Sequence, residues 1–94
     1  MNDDPDMNQA VLALAKYLRD NPLACDTAEG ISRWWLASLP VTTETLLRAL
    51  DWMDRSGLVE ASVAADGRLR YKRLATDGQL LALTRAAGGP ATRH

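Results

Sequence analysis

The sequence predicts a mainly α-helical domain carrying one small β-hairpin, and three observations lead there. Leu46, Ala49, Leu50 and Met53 recur at helical spacing, so they share one face of a helix starting at Thr42 or Thr43. Ser56-Gly57 ends that helix, because glycine takes the left-handed cap conformation without a Cβ clash. Beyond it Val59, Ala61 and Val63 are apolar at period two, as are Leu69 and Tyr71, with Asp66-Gly67 marking the turn between them. A helical period that gives way at once to a period of two describes a helix feeding a β-ribbon.

The totals fit one small domain. Ninety-four residues, 47% of them apolar and 24% charged, are enough for a modest core and too hydrophobic for wholesale disorder. The expected ordered region is 5–87, with loose ends at 1–4 and 88–94. No apolar run approaches the ~20 residues that span a bilayer, and the MNDDPDMN start is acidic, unlike a signal peptide. A cytoplasmic protein without membrane contact is the expectation. The net charge of −1 conceals an asymmetry: residues 1–47 carry seven acids against three bases, and residues 48–94 five acids against eight bases. Half of those eight bases fall between Arg68 and Arg73.

Each further element has its own signal. Asp4-Pro5-Asp6 reads as an N-cap, a first-turn proline and a first-turn acid. Met7, Val11, Leu14 and Leu18 continue that helix to Asp20, before Asn21 is pushed from the α region by Pro22. Leu23-Ala24-Cys25 is a linker, and Asp26 with Glu29 has the spacing of a capping box. The second helix runs through Ala28, Ile31, Trp34 and Trp35 toward Ser38, with Pro40 closing the turn. Gly30 within it implies a close backbone approach by another helix. The ribbon's register follows from its faces. A three-residue loop, Ala65-Asp66-Gly67, sets Val63 opposite Leu69 and Ala61 opposite Tyr71, which puts the apolar side chains of both strands together. Arg68, Arg70 and Lys72 then share the solvent face. Thr76 or Asp77 caps a fourth helix that ends near Ala87.

This order, with TAEGISRWW (Thr27–Trp35), LPVTTETLLRALDWMDRSGLV (Leu39–Val59) and DGRLRYKRL (Asp66–Leu74), resembles the winged helix-turn-helix superfamily, especially bacterial transcription regulators. The resemblance covers roughly Met7 to Leu74. It implies a three-helix core, a basic wing and a C-terminal fourth helix. It makes the helix over 42–56 the recognition helix, with Thr42, Thr43, Glu44, Leu47, Arg48 and Asp51 outward. That segment carries three acids and two bases, where family members usually present basic and amide side chains.

Two functions follow as expectations. In the first, the chain binds double-stranded DNA in transcription regulation: Thr42, Thr43 and Arg48 contact the groove, and Arg68, Arg70, Lys72 and Arg73 hold phosphate. In the second, it engages a protein or itself through Trp34, Leu47, Trp52, Leu80 and Leu83, with the C-terminal helix as a possible homodimer contact. Trp35, four residues after Ile31, is the expected core tryptophan, Trp34 the exposed one, and Trp52 half-buried. Enzyme chemistry is not expected. The one histidine, His94, is in the tail, and Cys25 reads as a buried inert thiol, so neither a zinc cluster nor a nucleophile–base pair can be assembled. No cofactor motif is present: Gly88-Gly89-Pro90 follows a helix and opens none.

Overall fold

A computed structural model of the chain describes residues 5–36 and 41–88. Among these residues four α-helices and a three-stranded antiparallel sheet make a mostly helical α+β domain. The first helix, α1 (Pro5–Asp20), buries Met7, Ala10, Val11, Leu14, Ala15 and Leu18, the stripe its spacing predicts. The Asp4 cap, Ser38, Pro40 and, of the expected loose ends 1–4 and 88–94, all but Gly88 lie outside the described residues; Gly88 belongs to the last helix.

The supposed linker is partly a strand. β1 (Cys25–Thr27) pairs antiparallel with a later strand, in a contact no local pattern announces. Cys25 is consequently exposed on an edge strand, not buried. The next helix, α2 (Ala28–Gly30), is capped by Thr27, whose hydroxyl accepts from the Gly30 N–H at 3.2 Å. Asp26 is therefore not the N-cap. Its carboxylate turns back to accept from the Thr27 N–H at 2.7 Å, and it is this carboxylate, not another helix, that occupies the space a Cβ at Gly30 would need.

Residues Ile31–Trp35 then widen into a π-helical turn, closed by Leu36 N–H donating to the Ile31 carbonyl at 3.0 Å. The turn buries Ile31 and stacks Trp35 on Tyr17 of α1, with ring centroids 4.7 Å apart and planes 12° from parallel. Trp34 stands 68% exposed, as expected, whereas Trp35, expected in the core, is only half-buried against it.

Helix α3 (Thr43–Arg55) starts on Thr42, whose hydroxyl accepts from the Thr45 N–H at 3.1 Å and donates to the Thr45 hydroxyl at 2.9 Å. Its end is a Schellman motif: Leu58 N–H reaches the Met53 carbonyl and Gly57 N–H the Asp54 carbonyl, with Gly57 at φ +76°. The motif aims Leu58 into the core and hands the chain to β2 (Val59–Val63) and β3 (Leu69–Arg73). The ribbon has the anticipated register, Ala61 opposite Tyr71 and Val63 opposite Leu69, and Gly67 takes φ +83° at the loop. Its inner face is only half covered, however. Val59 and Tyr71 are buried, whereas Val63 and Leu69 near the tip are 70% and 47% exposed.

The last helix, α4 (Asp77–Gly88), opens with a reciprocal capping box in which Thr76 N–H donates to Gln79 Oε1 and Gln79 N–H to the Thr76 hydroxyl. It packs along α1, and α1 also packs on α3. One core results, centred on Leu14, Leu18, Ile31, Leu46, Leu50, Met53 and Leu80.

Candidate interaction surface

The sheet order is β1-β3-β2, so β3 is central and its side chains are set by both neighbours. Lys72 lies opposite Glu60 on one side and Cys25 on the other; Arg70 lies between Ser62 and Thr27. The alternation that buries Tyr71 thus lines Arg70 and Lys72 along the outer face, as the register requires.

That outer face is charge-balanced. Lys72 is 3.2 Å from the Glu60 carboxylate, Arg70 is 3.7 Å from Asp66, and Arg68 is 3.6 Å from Glu29 of α2. These pairs are largely exposed, so each is worth only about 0–1 kcal/mol and can be exchanged for another partner. Their effect on the field is larger than their effect on stability. Three bases and three acids at these distances leave no net positive stripe for a phosphate chain to follow.

Arg73 does something else. Its side chain is only 13% exposed, and its guanidinium donates to the Ala75 carbonyl at 2.6 Å, the Leu18 carbonyl at 3.3 Å and Asp77 at 2.7 Å. Four residues grouped as one basic strand are therefore three outward charges and one internal clasp joining β3, the last turn of α1 and the start of α4.

The outer face of α3 is mixed. Thr43, Glu44, Leu47, Arg48 and Asp51 are exposed, Leu47 to 45%, and Asp51 pairs with Arg55 at 3.1 Å. Thr43 and Leu46 join Ala28, Glu29, Ser32 and Arg33 in lining an open groove of about 430 Å³ between α2 with its π-turn and the start of α3. Among the residues expected at an interface, Trp34 and Leu47 are exposed, while Trp52 and Leu83 are half-buried against the core. Leu80 is fully buried and cannot anchor a partner, because the stripe it occupies faces the interior of the domain.

Burial raises the pKa of Tyr71 above the usual phenol range, and the charges of Asp54 and Asp51 add to the effect. No group of three or more His, Cys, Asp or Glu side chains among the described residues is placed to hold a metal ion, and no described helix is long and apolar enough to cross a membrane. The acids Glu29, Glu60 and Asp66 set the character of this surface, and their pairing with the ribbon's bases is not among the sequence expectations. Comparison with known protein families, curated proteins and solved structures returns no match.

Proposed function

We propose that the chain is a winged-helix module that engages a protein partner and does not read a DNA duplex. The winged-helix assignment is supported by the order α1, β1, α2, α3, β2, β3, α4 and by a sheet in which β1 closes onto the hairpin. The functional assignment is carried by one observation: each outward base of the ribbon faces a carboxylate of the same chain within 3.7 Å. Specific and non-specific duplex binding both draw on released counterions, which requires bases whose charge is not already matched nearby. A protein surface needs no such excess, and Trp34 and Leu47 offer it exposed apolar area beside mixed charge.

DNA binding is the second reading, favoured by the alignment of Arg70 and Lys72 on one face of the ribbon. A salt titration with random duplex separates the two. The protein-partner reading expects no retardation even at low salt. Retardation with a steep log–log salt slope, lost in Arg70→Glu with Lys72→Glu, would establish the DNA reading instead.

A further inference from the structure

Of the two edge strands, β1 is three residues long and leads straight into a helix, whereas β2 is five residues long and open. Edge strands are normally guarded by lysine, arginine, proline or a bulge. β2 reads VEASV and holds none of those residues, and its one charge, Glu60, is engaged by Lys72 of its own β3.

The hydrogen-bond phase of the ribbon identifies the groups left on that edge. Ala64 N–H donates to the Arg68 carbonyl at one end, and Leu74 N–H to the Leu58 carbonyl at the other. Even-numbered residues therefore bond across to β3. By alternation, the N–H and C=O groups of Val59, Ala61 and Val63 point away from the sheet. Among the described residues no loop, cap or turn hydrogen bond reaches them.

The geometry points to a second copy of this chain as the occupant of that edge, joined by antiparallel β2–β2 pairing about a two-fold axis at Ala61. This register places Ala61 opposite its own copy and Val59 opposite Val63 of the second copy. All the outward N–H and C=O groups of both strands are then hydrogen-bonded in pairs. The polar face also agrees, since Glu60 lies opposite Ser62 of the second copy, a carboxylate facing a hydroxyl that can donate to it. Centring the axis on Glu60 would oppose two like charges and leave Val63 without a partner strand. On the inner face, the 70% exposed Val63 gains a valine neighbour. Val59 and Val63 are ~14 Å apart along the strand at ~3.4 Å per residue, so the buried Val59 ends of the two chains lie at opposite ends of the shared pair. The charge-balanced ribbon suits an isologous contact, in which a surface of one sign would repel itself. This contact uses neither Trp34 nor Leu47, so it stands or falls apart from the surface proposed above.

The test is mass measurement by sedimentation equilibrium across a concentration series, together with amide hydrogen exchange on the full chain. The mass should climb from 10.3 kDa toward twice that value, and exchange at Ala61 and Val63 should slow in step. Ala61→Pro removes an N–H that β3 does not use, and Val63→Lys places a charge at an exposed position; both should remain monomeric with an unchanged circular dichroism spectrum. If Ala61→Pro fails to fold, Val63→Lys alone carries the comparison. A wild-type chain that stays monomeric at millimolar concentration overturns the inference. So does a dimer whose Ala61 and Val63 amides exchange as fast as in the monomer, or one that persists in a folded variant.

Discussion

Glu60 and Lys72 face each other across the ribbon, carboxylate to ammonium at 3.2 Å, at the position where a DNA-binding wing would need an unmatched base. The consequence can be measured by removing the acids and leaving the bases. Glu60→Gln with Asp66→Asn should let the ribbon hold random duplex at low salt where the wild-type chain does not. Its log–log salt slope should correspond to about two or three phosphate contacts, at ~0.9 per contact. Equal retardation of both proteins would show that the carboxylates do not govern the surface.

This pair also marks the limit of what could be read from the sequence. The three-residue loop and the pairing of Ala61 with Tyr71 were legible because the apolar residues of both strands agree on only one register. That register already implies Glu60 opposite Lys72 and Ser62 opposite Arg70, so the acid of the outer face is legible from the same alternation as its bases. Other features had no local signal. β1 is three residues whose pairing depends on a strand more than forty residues later, so Cys25 read as part of a buried linker. Arg73 looked like its neighbours because its partners, the Leu18 and Ala75 carbonyls, are backbone atoms with no side-chain signature. Thr27 and Asp26 are both good caps, and the choice between them was made by the sheet, which holds Asp26 extended against Tyr71.

The glycine at the end of α3 should resist substitution for a backbone reason alone. A Cβ at Gly57 would meet no atom within 4 Å, but its φ of +76° is disfavoured for an L-residue by roughly 1–2 kcal/mol. Gly57→Ala should therefore lower the free energy of unfolding by that amount, read as a lower urea midpoint at an unchanged m-value, while Gly57→Asn should lower it less. A neutral Gly57→Ala would mean that the helix can end without the left-handed residue.

Arg73 should behave as part of the core and not as part of a binding face. Arg73→Ala strips a largely buried guanidinium from two carbonyls and a carboxylate, and should cost about 2–3 kcal/mol in denaturant unfolding. Arg73→Lys should recover little, since one ammonium cannot match a planar fork spread over three acceptors. Asp77→Asn, at the exposed end of the clasp, should cost less than about 1 kcal/mol. Equal, small effects for Arg73→Ala and Arg70→Ala would place Arg73 back among the solvent-facing bases.

Tyr71 links the ribbon to the charges of α3, and alkaline pH should expose that link. Burial first, then Asp54 and Asp51, disfavour the phenolate in the folded chain and raise its pKa. The unfolded chain, with a phenol pKa of about 10, therefore loses its proton first. Below that pH the phenol contributes its full share to stability; as pH rises through the folded-state pKa, deprotonation favours unfolding and that share is lost. The wild-type denaturation midpoint should thus fall more steeply than that of Tyr71→Phe above pH ~10, and run parallel to it at neutral pH. Other groups titrate in the same range, but they are common to both proteins and cancel in the difference. Asp54→Asn removes the larger of the two charge contributions, so it should bring the alkaline absorbance transition of Tyr71 to lower pH. Curves that stay parallel throughout would mean that the phenol ionises in the folded chain as freely as in the unfolded one.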